Sequence, residues 1–63
     1  MNYKEYIEIN STIRFGKPCV KGTRISVYDV LNWLASGMSI EEILVDFPQL
    51  SKEQILACSA YSA

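Results

Sequence analysis

Phe15-Gly16-Lys17-Pro18-Cys19-Val20-Lys21-Gly22-Thr23-Arg24-Ile25 divides the chain into two unlike parts. Up to and within it, apolar and polar residues alternate or are interrupted by Gly and Pro. After it, apolar residues recur at helical spacing. The stretch holds two of the three glycines and one of the two prolines. Counted with Arg14, it also holds four of the six basic residues. It reads as a structured basic hairpin or loop on which a short helical bundle sits.

Toward the C-terminus, three segments place a serine three residues before an acidic or amide side chain: Ser26 with Asp29, Ser39 with Glu42, and Ser51 with Gln54. This is the capping-box pattern. The serine oxygen accepts from a free first-turn amide, and the later side chain reaches back to the cap. The first predicted helix runs from Val27 to Ser36, with Val27, Val30, Leu31 and Leu34 on one face and Gly37 as its stop. The second runs from Ile40 to Asp46 or Phe47. Its inner stripe is Ile40, Ile43, Leu44 and Phe47, and Glu41, Glu42 and Asp46 face water. Pro48 forbids continuation, and Leu50 is expected to tuck beneath the turn. The third runs from Lys52 to Tyr61, with Ile55, Leu56, Cys58 and Ser59 inward and Lys52, Glu53, Gln54 and Ala57 outward. No C-cap follows, so this helix is expected to end abruptly, as if clipped.

Toward the N-terminus, Tyr6-Ile7-Glu8-Ile9-Asn10 alternates as a short half-buried strand does. A turn at Asn10-Ser11-Thr12 follows. Ile13-Arg14-Phe15 alternates again before Gly16, and Cys19-Val20 and Thr23-Arg24-Ile25 suit strand pieces around a Lys21-Gly22 turn. The predicted fold is mainly α: a small N-terminal β-hairpin packed on a three-helix, helix-turn-helix bundle of winged-helix-like plan. One domain covers residues 1–63, with the hairpin and basic loop in 1–25 and the tri-helical unit in 26–63.

The chain has 63 residues, 49% of them hydrophobic, with two cysteines and no histidine. That composition supports a core and excludes a disordered chain. A domain so small and without a disulfide or metal staple commonly gains stability by association, so a homodimer is expected. Its strands are expected to pair through the Tyr6–Asn10 edge. Tyr6, Ile7, Ile9, Tyr28, Trp33 and Tyr61 are the candidate interface residues. The first residues carry charge where a leader would be apolar, and no apolar run reaches membrane-spanning length. A cytoplasmic location is expected.

Charge is distributed unevenly. Residues 1–24 carry Lys4, Arg14, Lys17, Lys21 and Arg24 against Glu5 and Glu8, a net of +3. Residues 25–63 carry Lys52 against Asp29, Glu41, Glu42, Asp46 and Glu53, a net of −4. Such asymmetry suits either an anionic partner or self-association of opposite patches.

In a helix-turn-helix plan, the start of the third helix meets base edges in the major groove. This assigns Gln49, Ser51, Lys52 and Gln54 as candidate base-contacting residues. The second helix is acidic and the third has a single Lys, so the bundle alone lacks the charge that duplex affinity requires. Lys17, Lys21 and Arg24 are the candidate phosphate contacts. The tri-helical unit is equally readable as simply a compact core-forming unit, and the alternative function is a protein-interaction or dimerisation module without DNA binding.

Catalysis finds little support. Without histidine, Cys–His and Ser–His nucleophiles are excluded within one chain. Glu41 and Glu42 are adjacent on a helix and cannot converge. Cys58 reads as core, and Cys19 as a small apolar residue. The phosphate-loop pattern is absent. No enzyme activity, metal or cofactor is expected.

Gly16-Lys17-Pro18-Cys19-Val20-Lys21-Gly22-Thr23-Arg24-Ile25, then Ala35-Ser36-Gly37-Met38-Ser39-Ile40-Glu41-Glu42-Ile43, then Phe47-Pro48-Gln49-Leu50-Ser51, together resemble the bacterial domain-of-unknown-function family 433 (DUF433). Typical members read GKP-V-I-R-GTRI-P-V, then GMS-x-EEI, then a Tyr or Phe-Pro-x-Leu step. The likeness runs from about Ile7 to the last residue. Cys19 stands at a usual Val, Lys21 at a usual Arg and Ser26 at a usual Pro. Lys21 keeps the charge but not the bidentate fork. The family is similar to VapB-type antitoxins. The resemblance implies a DNA-binding antitoxin that represses its own operon and neutralises a PIN-like ribonuclease toxin. It also implies a toxin-binding tail beyond the last helix.

Overall fold

The computed structural model describes residues 2–63. Three helices form where the serine caps place them: α1 at Val27–Ala35, α2 at Ile40–Asp46 and α3 at Lys52–Ser62. Each is opened by a complete capping box. Ser26 Oγ accepts from the Asp29 amide at 3.0 Å, and Asp29 Oδ2 accepts from the Ser26 amide at 3.0 Å. The corresponding pairs are 3.1 and 2.9 Å for Ser39 and Glu42, and 3.2 and 2.7 Å for Ser51 and Gln54. Each box satisfies two donors that a helix start leaves free, a contribution of about 1 kcal/mol for a buried or half-buried cap.

α1 ends in a Schellman turn. The Met38 amide donates to Trp33 O at 3.1 Å and the Gly37 amide to Leu34 O at 3.1 Å. Gly37 has φ +101°, the left-handed conformation this motif demands. α2 stops before Pro48, and the Leu50 amide closes the turn onto Phe47 O at 3.0 Å. Leu50 tucks under, with 6% of its surface exposed.

The N-terminal part opens with a 3-10 turn at Tyr3–Glu5 and forms two short antiparallel strands, β1 at Ile7–Glu8 and β2 at Cys19–Val20. Ile7 faces Val20 and Glu8 faces Cys19. On its other side β2 meets the segment leading into α1. Cys19 bridges Ser26, the Val20 amide donates to Ile25 O, and the Val27 amide donates to Pro18 O. β2 is therefore the central rung of a small ladder that runs directly into the first helix.

β1 pairs with β2 along one of its two edges. One expectation of the N-terminal part is corrected. Ile13–Phe15 is not a strand. Ile13 is extended, but Arg14 and Phe15 turn left-handed and break the ladder.

The core is built from Ile7, Val20, Val27, Val30, Ile43, Leu50, Ile55, Ala57 and Cys58. α3 is its axis, packing against α1, α2, β1 and the first 3-10 turn. That central position corrects the inner face expected for α3. Ala57 is fully buried, whereas Leu56 is 38% exposed and Ser59 faces solvent. A helix covered on several sides buries a broad arc, here from Ile55 through Cys58, Gln54 and Tyr61 to Ala57. A small residue at one margin lets a neighbour approach closely. Two aromatic pairs close the periphery. Trp33 stacks on Phe47 at 4.2 Å, joining the end of α1 to the end of α2, and Tyr3 meets Tyr61 edge-on at 5.3 Å. No helix among the described residues is long and apolar enough to cross a membrane.

Candidate functional site

The basic stretch is a chain of tight turns tied to the start of α1. Val20-Lys21-Gly22-Thr23 is a β-turn in which the Thr23 amide donates to Val20 O at 3.0 Å. Gly22, with φ +77°, occupies the third position, where a type II turn requires a positive φ. The Thr23 hydroxyl fastens both sides of this turn. It donates to Val20 O at 2.9 Å and accepts from the Ile25 amide at 3.0 Å. Gly22 and Thr23 thus have a structural task, and the turn holds Lys21 and Arg24 out in solvent at its shoulders.

Arg14 is the second fastening. Its Nη1 donates to Arg24 O at 2.8 Å and to Asp29 Oδ2 at 3.1 Å, the one ion pair among the described residues. The Asp29 carboxyl also receives the Ser26 amide. Burial alone would raise its pKa. The Ser26 amide, the Arg14 guanidinium and the Ser26 hydroxyl together outweigh burial and hold it below the ordinary carboxylate value. One acid therefore caps α1 and moors the preceding loop. Counting Arg14 as a basic residue was possible from the sequence; its pairing across fifteen positions to the capping-box acid Asp29 was not.

Between these fastenings lies a run of three left-handed residues: Arg14 at φ +52°, Phe15 at +58° and Gly16 at +80°. The turn is closed by the Gly16 amide on Ile13 O at 3.1 Å and the Lys17 amide on Arg14 O at 3.2 Å. Positive φ is uncommon for an arginine and a genuine outlier for a bulky aromatic. The turn presents Phe15 with its surface 100% exposed. Nothing in the alternating sequence Ile13-Arg14-Phe15 signals this.

The candidate DNA-contacting residues fall into two groups. Lys17, Lys21 and Arg24 are exposed on the basic turns, and Gln49 and Lys52 are exposed around the start of α3. Ser51 and Gln54 are half-buried and committed to their capping box. With Gln54 Oε1 on the Ser51 amide, its side chain is not poised to pair with a base, and the sequence pattern that predicts the cap already competes with a base-reading role. The solvent face of α3 then offers Lys52, Glu53, Leu56 and Ser59, a face without net positive charge.

The candidate interface residues also divide. Ile7 belongs to the core, and Tyr6, Trp33 and Tyr61 are partly buried against it, so these four are engaged within the chain. Ile9 is 64% exposed and Tyr28 53% exposed. The outer face of α2 is acidic, as expected. Glu41, Glu42, Val45 and Asp46 line a shallow depression of about 270 Å³, and Val45 is 79% exposed within it.

Reactive groups are withdrawn. Burial pushes the Cys58 thiol up to about 11, and burial likewise raises Cys19. Both thiols are protonated at neutral pH and covered by neighbouring side chains, which makes them poor nucleophiles. Among the described residues no buried side-chain nitrogen or oxygen lacks a partner, and no three Cys, Asp or Glu residues gather as a metal would need. The arrangement offers binding surfaces: a basic set of turns and an acidic helix face.

Comparison with known proteins agrees with this architecture. The sequence profile of a family described as "Protein of unknown function (DUF433)" matches residues 7–62. An uncharacterised protein of Sinorhizobium fredii (strain NBRC 101917 / NGR234), y4eO, is 39% identical over 59 residues, covering 94% of this chain and 27% of that protein. The crystal structure of a DUF433 member protein from Anabaena variabilis ATCC 29413 superposes with a TM-score of 0.85 at 26% identity, covering 95% of this chain and 63% of the other. The chain thus spans about a quarter of the first relative's length and under two thirds of the second's.

Proposed function

The chain belongs to the DUF433 family, and on that footing we propose that it is an antitoxin-like regulator: a non-enzymatic binding domain that contacts its operator DNA and pairs with a PIN-like ribonuclease toxin. The observation that carries the DNA part is the exposure of Lys17, Lys21 and Arg24 on one series of turns that is fastened at Thr23 and Arg14. Three exposed cations on a rigid scaffold suit phosphate contacts. Such contacts need position more than side-chain geometry, so Lys21 serves without a guanidinium fork.

This reading shifts the DNA contact from the start of α3 to the turns before α1. Lys52 and Gln49, both exposed, remain candidate auxiliary contacts. Glu41, Glu42 and Asp46 would repel phosphates, so α2 takes no part in the contact. Binding is largely electrostatic and only weakly selective among sequences, and a domain of this kind gains specificity from duplication in a homodimer or from its toxin complex.

A second reading is favoured by the exposed apolar side chains Phe15, Val45 and Ile9. In it the chain is a protein-interaction module that never touches DNA. The duplex titration separates the readings, and the co-purification is its control. Titration of the duplex upstream of its gene gives salt-sensitive binding under the first and none under the second. Co-expression with the neighbouring gene product gives co-purification under both. The DNA reading is abandoned if no duplex is bound at low salt while the protein partner is still retained.

A further inference from the structure

The strained turn at Arg14–Gly16 and the depression on α2 are complementary, and we propose that Phe15 of one copy docks against Val45 in the acidic depression of a second copy, head to tail. This goes beyond the operator-binding reading and does not depend on it.

Three observations converge. Phe15 is fully exposed in a left-handed conformation that a bulky side chain resists. Hydrogen bonds and the Arg14–Asp29 pair hold the backbone of the turn, so little loop entropy remains to be lost on docking. Strain kept in a place that gives no intramolecular contact in return points to a contact outside the chain. On the other face, Val45 is 79% exposed, and the depression around it is about 270 Å³. The depression is shallow and open, so an aromatic ring would lie against Val45 rather than be enclosed.

Charge selects the occupant. Phe15 stands beside Lys17 on the turns that also carry Lys21 and Arg24, while Val45 stands among Glu41, Glu42 and Asp46. Each surface is an apolar point within charges of one sign, and the two signs are opposite. Opposed patches of this kind steer association and fix its register. A chain's own Phe15 is wholly exposed, so it does not fill its own depression, and the contact requires a second molecule. Because the two surfaces differ, the contact is heterologous: it leaves one free Phe15 and one free depression at the ends of each dimer. The contact area is small, which implies weak, concentration-dependent association in the transient class below about 1,200 Å².

The test uses sedimentation equilibrium on the full chain at protein concentrations up to about 1 mM and at about 0.1 and 1 M salt. Phe15→Ser and Val45→Lys change exposed side chains, and circular dichroism melts check that each variant remains folded. The expected result is salt-weakened self-association of the wild type. Each variant alone raises the dissociation constant by at least about tenfold. A one-to-one mixture restores a dimer and nothing larger, because the Phe15→Ser variant keeps its depression and the Val45→Lys variant keeps its aromatic anchor. A monomeric wild type, self-association unchanged in either variant, or a mixture that fails to restore the dimer each overturns the proposal.

Discussion

Replacing Phe15 with glycine should make the domain more stable, although it removes the largest exposed apolar side chain of the basic stretch. The left-handed conformation costs an L-residue about 1–2 kcal/mol. Phe15 adopts it at φ +58°. Its side chain is 100% exposed, so no burial within the chain is lost on truncation. Glycine loses more backbone entropy on folding, about 0.5–1 kcal/mol. The difference spans about 0–1.5 kcal/mol, with a central net gain of about 0.7 kcal/mol. For a domain of 63 residues, about 1 kcal/mol moves the melting temperature by about 4–8 °C. The expected rise for Phe15→Gly at that central gain is therefore about 3–6 °C, read by circular dichroism at micromolar protein where self-association is negligible. Phe15→Ala is the control. It keeps the strained backbone without glycine's freedom, so its stability should stay within about 0.5 kcal/mol of the wild type. The reasoning is refuted if Phe15→Gly melts below the wild type, which would mean that the aromatic ring packs within the chain. It is equally refuted if Phe15→Ala gains as much as Phe15→Gly, which would mean that the backbone carries no strain.

Thr23→Val removes the hydroxyl that joins Val20 O to the Ile25 amide. A loss of about 1–2 kcal/mol is expected in urea unfolding, and an unchanged midpoint would show that the turn does not depend on it. Asp29 has a folded-state pKa below its unfolded value. Its contribution is therefore fully present above the unfolded value near about 4 and is lost as pH falls through the lower folded value. Wild-type stability should decline on acidification more steeply than that of Asp29→Asn, and parallel pH profiles between neutral pH and acid would remove Asp29 from this role. Cys58 is fully buried with its thiol raised to about 11. A thiol reagent at neutral pH should modify it only as fast as the domain opens, so the rate should climb with urea in step with unfolding. Prompt modification of the native chain would contradict the buried assignment.

The helices were legible in the sequence because their signals are local. Ser26, Ser39 and Ser51 each find a partner three residues on, and Gly37 stops α1 within one turn, so no distant contact decides either feature. The strands were harder. With two residues each, they carry almost no periodic signal, and the choice of Cys19–Val20 over Ile13–Phe15 as partner of Ile7–Glu8 depends on where the chain turns left-handed. The inner face of α3 was misplaced at Leu56 and Ala57 because a single stripe is the wrong template for a helix surrounded by its neighbours. At the candidate site, the exposure of Lys17, Lys21 and Arg24 agreed with their charge and with the Gly and Pro residues around them. Gln54 shows the competing case: one side chain matched both a capping pattern and a base-reading position, and the structure spends it on the cap. The Arg14–Asp29 pairing and the exposure of Phe15 are tertiary facts with no local signature.

The central claim, that the basic turns carry the DNA contact, is tested most directly by the salt dependence of binding to the duplex upstream of the gene. Each phosphate contact contributes a slope of about −0.9 in log affinity against log salt, so three contacts contribute about −2.7. Changing Lys17, Lys21 and Arg24 together to alanine should weaken binding at low salt and make the slope shallower by about 2–3. An unchanged affinity and slope in the triple variant would contradict the account.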